Sequence, residues 1–137
     1  MADDFQVTLV TPQQQVFDER AKYASVPAWD GLIGIAPGRA ALLVKLGDGP
    51  LRLDFEEGGS RWFFLGGGFA QMKGSDLSLL TEEAIPAEDI VAADAEQSLR
   101  QAAKVEAVKD DQVAARDRRV NRARAMVHLA QRVDGRI

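Results

Sequence analysis

Three glycines and a proline fall within the stretch GLIGIAPGRAALL, residues 31–43, at Gly31, Gly34, Pro37 and Gly38. Glycine runs can cradle a phosphate, because main-chain N–H groups approach the anion where no Cβ intervenes. A phosphate loop closes on Lys-Ser or Lys-Thr at a helix start, whereas Gly38 is followed by Arg39 and Ala40. The dinucleotide fingerprint needs Gly-x-Gly-x-x-Gly between a strand and a helix. Here Gly31 and Gly34 stand three apart, and ALLVKL continues as a strand. The run reads instead as a tight turn, a short strand carrying Ile33 and Ile35, and a Pro-Gly turn.

No other grouping of reactive side chains assembles a catalyst. His128 is the only histidine and falls within a helical pattern near alanines, so no metal cluster forms around it, and an exposed or seam position is expected. There is no cysteine, which removes disulfides, zinc–thiolate sites and thiol nucleophiles together. Ser25, Ser60, Ser75, Ser78 and Ser98 lack the local signature of an activated nucleophile. Glu56–Glu57 and Glu82–Glu83 are adjacent pairs, expected on opposite strand faces and thus not sharing a proton. Trp29 and Trp62 have no basic groove beside them and read as core or interface aromatics rather than base-stacking platforms. The chain is expected to be no enzyme and to hold neither cofactor nor metal.

The elements that would position these residues divide at Pro86. Before it the apolar pattern has a period of two. Phe5, Val7 and Leu9 share a face in FQVTLVT; Leu51, Leu53 and Phe55 share one in LRLDFE. EEGGS supplies a turn, and RWFFLGG returns as an aromatic-rich strand. FAQMK, the turn GSD and LSLLTEE form a further hairpin, and QQQVFDERAKYASVP holds two short strands broken near Arg20. Gly66–Gly68 sit within strand territory and mark a bulge or a close backbone approach. Short, frequent strands with glycine-rich turns predict an antiparallel β-sandwich.

After Pro86 the pattern turns helical. Pro86 suits a first helical turn, Glu88 and Asp89 suit the positive end of a helix dipole, and a helix is expected to about Val108. Asp110 or Asp111 can cap a second helix, ended by Gly135. In it Val113, Val120 and Val127 recur every seven residues, with Ala123 and Ala130 complementary, a narrow seam suited to close helix packing. The predicted class is α+β: residues 1–86 form an antiparallel β-sandwich and residues 87–137 an antiparallel α-helical hairpin. Such an alanine-rich hairpin buries little apolar surface, so it is expected to be marginally held and able to move.

Size and charge agree with this plan. The 137 residues suffice for one medium domain, or a small one with an appendage, and no apolar run approaches the ~20 residues that cross a bilayer. The start, MADDFQVTLV, lacks the basic and apolar segments of an export signal, which predicts cytoplasmic residence. Net charge is −4, so attraction to nucleic acid or anionic lipid is not expected. From residue 115 onward the sign reverses: Arg116, Arg118, Arg119, Arg122, Arg124, Arg132 and Arg136 face only Asp117 and Asp134. A basic end on an acidic chain points to an anionic partner for that end.

The motifs GLIGIAPGRAALL and FFLGGGFAQMKGSDLSLLTEEAI resemble those of the epsilon subunits of bacterial F-type ATP synthases, called delta in mitochondria. Gly31, Gly34, Ile35, Pro37, Gly38, Leu42 and Leu43 match the first run, and Gly67, Gly68 and residues 81–84 fit the second. The chain departs from the family with Leu32 in place of an acidic residue, Arg39 in place of histidine and Ala41 in place of proline. The resemblance implies a non-catalytic central-stalk subunit on the cytoplasmic face of the bacterial inner membrane, peripheral and without membrane insertion. Implied partners are the gamma subunit, the c subunits of the rotor ring, and the beta and alpha subunits of the catalytic head. Asp30, Gly31, Leu32, Pro37, Gly38 and Arg39 would face the ring.

Several bacterial relatives bind ATP through Ile/Leu-Asp-x-x-Arg-Ala at the start of the first helix. The corresponding stretch here is IVAADA, residues 90–95, where Val91 replaces the aspartate and Asp94 the arginine. A carboxylate where a guanidinium should meet phosphate is repulsive, so this motif is expected not to bind ATP. The family's C-terminal helices block rotation and hydrolysis, which assigns a regulatory role to Arg116, Arg118, Arg119 and Arg122. The alternative from another class is a free-standing small-molecule binding module with the helices as its lid.

Overall fold

The computed structural model describes residues 4–133. The chain divides into two compact units, Met1–Ile85 and Pro86–Ile137, one residue from the expected boundary.

The first unit is built from eight strands: β1 (Phe5–Val10), β2 (Gln15–Ala21), β3 (Tyr23–Ala28), β4 (Gly31–Ile35), β5 (Leu42–Asp54), β6 (Ser60–Lys73), β7 (Asp76–Leu80) and β8 (Ala84–Pro86). They are hydrogen-bonded in the order β2-β1-β7-β6-β5-β3-β4, with β8 on β6. The sheet folds over on itself. Phe17 of β2 and Phe55, just past β5, are far apart in strand order, yet their rings lie 6.1 Å apart. Phe17 also meets Phe63 edge-on at 5.9 Å. Such closure buries the inward residues of both layers in one core. Phe5, Val7, Leu9, Leu51, Leu53 and Phe63 are all fully buried there. Each contributes about 1.5–3 kcal/mol relative to exposure.

Two features of the sheet differ from expectation. β1 and β7 pair in parallel, from Gln6↔Asp76 to Val10↔Leu80, within a mostly antiparallel sheet. Side chains alternate identically in either direction, so the period of two carries no direction. Moreover, ALLVKL and LRLDFE belong to one strand, β5, and RWFFLGG and FAQMK to another, β6. Inward-facing positions change phase within each: Val44 and Leu46 give way to Leu51 and Leu53, and Phe63 and Leu65 to Ala70 and Met72. The register between the two strands stays constant throughout, so they change phase together near Gly47 and Gly67. Periodicity breaks there, and each long strand reads as two.

In the second unit a 3-10 turn at Ala87–Asp89 precedes α1 (Ala92–Ala103) and α2 (Asp110–Val133). The first helix therefore starts five residues later and ends about five earlier than expected. Pro86, Ile90 and Val91 are extended, with ψ of 137°, 121° and 114°. Ile90 and Val91 are β-branched and resist helical backbone, and Val91 at the N-cap offers no side-chain acceptor. Neither Asp110 nor Asp111 caps α2. Instead the Gln112 Oε1 reaches back and accepts from the N–H groups of Val108 and Lys109, both at 3.2 Å. The expected stop at Gly135 lies outside the described residues. Ala123 and Ala130 are buried, while Val113, Val120 and Val127 are half-buried. The buried and half-buried positions match the expected seam, and Leu129 is buried as well. At 1.5 Å per residue α1 is ~18 Å long and α2 ~36 Å, so α2 outreaches its partner.

Candidate functional site

The glycine run forms a hairpin edge and no anion cradle. β3 turns at Trp29–Asp30 into β4, pairing from Ala28↔Gly31 to Ala24↔Ile35. Ile35 is fully buried and Ile33 packs against the core, which anchors the strand. Asp30, Gly31 and Leu32 are exposed together on this hairpin. Pro37, Gly38 and Arg39 follow in the next turn, where the Arg39 N–H donates to the Ala36 carbonyl at 3.3 Å. Trp29 is 68% exposed and Leu32 64%. Of the two expectations for Trp29, the interface position fits and the core position does not. Trp62 is half-buried, with the Arg52 guanidinium 5.8 Å from its ring centroid and 5.5 Å from that of Tyr23.

A second apolar surface escaped the sequence reading. On the outward face Phe69 of β6 stands opposite Leu80 of β7, and Leu80 opposite Val10 of β1. Phe69 and Leu80 are more than half exposed. Val10, Pro12, Gly68, Phe69 and Leu80 line an open groove of about 360 Å³ there. Leu43, exposed likewise, lies one pairing diagonal away, since Lys45 pairs with Phe69 and Leu43 with Gln71. The available signal was the doublet Leu79–Leu80: in a strand one of two adjacent leucines must face outward.

Beneath that row the backbone is locked. The Thr81 hydroxyl, 4% exposed, donates to the Gly67 carbonyl at 2.6 Å and lies 3.0 Å from that of Glu83. The Gly66 N–H donates to Glu83 at 2.8 Å, and the Thr81 N–H to Val10 at 3.0 Å. Glu82 and Glu83 thus follow β7 rather than continue it, and Glu56 and Glu57 lie in a turn. At the opposite end of β1, Arg20 donates to Asp4 at 2.9 Å and holds that carboxyl below the usual range.

On the helices, Val91 and Asp94 are exposed. Arg119 and Arg122 line a cleft of about 220 Å³ with Ser98 and Ala102 of α1 and Ala123 and Met126 of α2. Arg116 pairs with Asp117 at 3.5 Å, and Arg118 is exposed. The structure therefore sets two of the four regulatory candidates beside the seam. His128 is exposed. Among the described residues no cluster of histidine and carboxylate side chains can hold a metal ion, and no helix is long and apolar enough to cross a membrane.

Residues 4–87 match the family model for the ATP synthase delta/epsilon chain, beta-sandwich domain. The ATP synthase epsilon chain of Rhodopirellula baltica is 32% identical over 123 residues, covering 90% of this chain and 95% of that one. A chain of the Euglena gracilis mitochondrial ATP synthase, in an OSCP/F1/c-ring assembly, aligns with a TM-score of 0.74 and 18% identity, over 98% of this chain and 82% of that one. A chain of the Tetrahymena thermophila mitochondrial ATP synthase central stalk and c-ring aligns with a TM-score of 0.70 and 16% identity, over 91% and 95%. With a β-sandwich followed by two helices in the same order, the chain belongs to the delta/epsilon family of ATP synthase subunits.

Proposed function

We propose that the chain is a central-stalk subunit of a proton- or ion-translocating F-type ATP synthase, whose sandwich joins the gamma subunit to the c subunits of the rotor ring. The observation that carries this reading is a pair of separate, exposed apolar surfaces on one stiff sandwich: the Trp29–Leu32 hairpin and the Leu43–Phe69–Leu80 row. A part that transmits rotation needs two contact faces and a rigid body between them, and large exposed apolar side chains of this density mark contact faces. We assign the hairpin, with Asp30, Gly31, Leu32, Pro37, Gly38 and Arg39, to the rotor ring and the outward row to gamma. The relatives' assemblies, named as central stalk, F1 and c-ring, support a place for the chain in the central stalk. The complex would sit on the cytoplasmic face of the inner membrane, with this chain peripheral.

The test is co-purification. Tagged chain from its native host is expected to bring down gamma and the catalytic head, and the double change Phe69→Ala with Leu80→Ala to release gamma first. A tagged chain that brings down neither sinks the reading.

Regulation is assigned to α2. Its arginines would meet an anionic partner surface, which the family resemblance places on the catalytic head; each exposed pair contributes only about 0–1 kcal/mol. Several together shift a two-state helix pair, since roughly 1.4 kcal/mol changes a population ratio tenfold. Truncation after Asp111 is expected to speed ATP hydrolysis by the assembled complex at low salt, with the gain shrinking as salt screens the pairs. Equal rates at low salt leave α2 without a regulatory role.

A further inference from the structure

The six residues between α1 and α2, 104–109, read Lys-Val-Glu-Ala-Val-Lys and contain no glycine, proline, serine or asparagine. A helix that stops for local reasons stops at a left-handed glycine or ahead of a proline. Here Lys104 keeps near-helical dihedrals, φ −87° and ψ −9°. The last bonds of α1 are of the 3-10 type, from the Lys104 N–H to Gln101 at 3.2 Å and from the Val105 N–H to Ala102 at 3.3 Å. Among the described residues positive φ occurs at glycines alone, so no left-handed residue turns the chain out of the helix in this connector.

A side chain holds the break instead. The Gln112 Oε1 takes the N–H groups of Val108 and Lys109. In an uninterrupted helix those two groups would donate to the Lys104 and Val105 carbonyls, four residues back. Gln112 thus substitutes for the bonds that the break removes. The seam that opposes straightening is slight, since its buried side chains are Ala95, Ala102, Ala123 and Ala130 with only Leu129 large among them.

We infer that residues 104–109 are a latent helix: when the pair opens, α1 and α2 join into one continuous helix over residues 92–133, and the Gln112 side chain is the latch of the closed form. At 1.5 Å per residue that helix is ~63 Å long. The inference rests on the reading of α2 as the regulatory element and specifies the form in which it acts. A rod holds α2 at a fixed distance and direction from α1, which two helices on a loose connector do not.

The chain has no cysteine, so spin labels at Ser98→Cys and Met126→Cys can report one distance in the full chain and in the assembled complex. Both positions line the same cleft in the closed pair. In a continuous helix they stand ~42 Å apart. The isolated chain is expected to show the short distance, and the complex a narrow population near ~42 Å. In the isolated chain Gln112→Ala is expected to raise that population about tenfold or more, the effect of two net main-chain bonds. Gln112→Glu keeps the acceptor and is expected to match the parent. Glu106→Pro is expected to keep the short distance and abolish the long one, because the Glu106 N–H makes no bond in the closed pair and proline cannot continue a helix. A broad distribution in place of the narrow one shows a flexible connector and overturns the latent helix. An unchanged population in Gln112→Ala overturns the latch. The short distance alone, in a complex whose hydrolysis still rises on truncation after Asp111, overturns the latent helix and leaves the regulatory reading standing. If truncation changes nothing, the regulatory reading falls, and the long population in isolated Gln112→Ala decides the latent helix by itself.

Discussion

Gly68→Ala is expected to destabilise the sandwich far more than the same change one residue earlier. Gly68 has φ +113°, a conformation L residues rarely adopt. A Cβ built there would collide with the Leu80 carbonyl oxygen and lie 2.7 Å from the Thr81 Cα, both main chain and unable to rotate aside. Holding alanine at that φ costs about 1–3 kcal/mol. Relieving the collision moves β7 away from β6 and strains the Thr81 bonds to Gly67 and Val10, each with a net contribution of about 0.5–1.5 kcal/mol. The sum is about 2–6 kcal/mol, a large part of the 5–15 kcal/mol that holds a typical domain. At about 4–8 °C per kcal/mol for a unit of this size, the middle of that range, about 4 kcal/mol, lowers the melting temperature by roughly 16–32 °C. Gly67, at φ +72°, has only Asp48 Oδ1 at 4.0 Å, so Gly67→Ala incurs the conformational cost alone, about 1–2 kcal/mol. Urea unfolding followed by the fluorescence of half-buried Trp62 measures both. If Gly68→Ala falls within about 1 kcal/mol of Gly67→Ala, the close approach of β7 is not what fixes glycine there.

Thr81→Val leaves the Gly67 carbonyl without its buried donor and is expected to cost about 1–3 kcal/mol in the same assay, with Thr81→Ser recovering most of it. Because Arg20 lowers the Asp4 carboxyl pKa, the pair adds stability above the unfolded-state value near 3.9 and loses it as pH falls through the lower folded value. An NMR titration should therefore find Asp4 below the usual range, and Arg20→Ala should return it upward. Titration calorimetry with Mg-ATP is expected to show no binding below millimolar concentration, because Asp94 stands where the phosphate-binding arginine is needed; micromolar affinity overturns that argument.

Where local chemistry decides, the sequence was a good guide. Alternation gave the inward faces of β1 and the second half of β5, and valine–alanine spacing gave the seam of α2. The β3–β4 hairpin was legible because glycine, proline and isoleucine positions follow directly from turn geometry. Three things were not. The parallel β1–β7 pair is invisible to a period that has no direction. The Phe69–Leu80–Val10 row assembles across three strands, so no single segment announces it. The late start of α1 was hidden because Glu88 and Asp89 look like a first helical turn, while the extended backbone at Ile90 and Val91 prevails.

The joint shift of β5 and β6 near Gly47 and Gly67 limits which length changes the chain tolerates. Deleting one residue from either strand would rotate everything beyond it by half a period and send Phe63 or Leu51 toward solvent. The Gly58–Gly59 turn between the strands is exposed, and neither of these glycines has anything within 4 Å of an added Cβ. Extra residues inserted there leave both inner faces in place. Length variation within this sandwich is therefore confined to its turns, and the hinge region admits only matched changes on both strands at once.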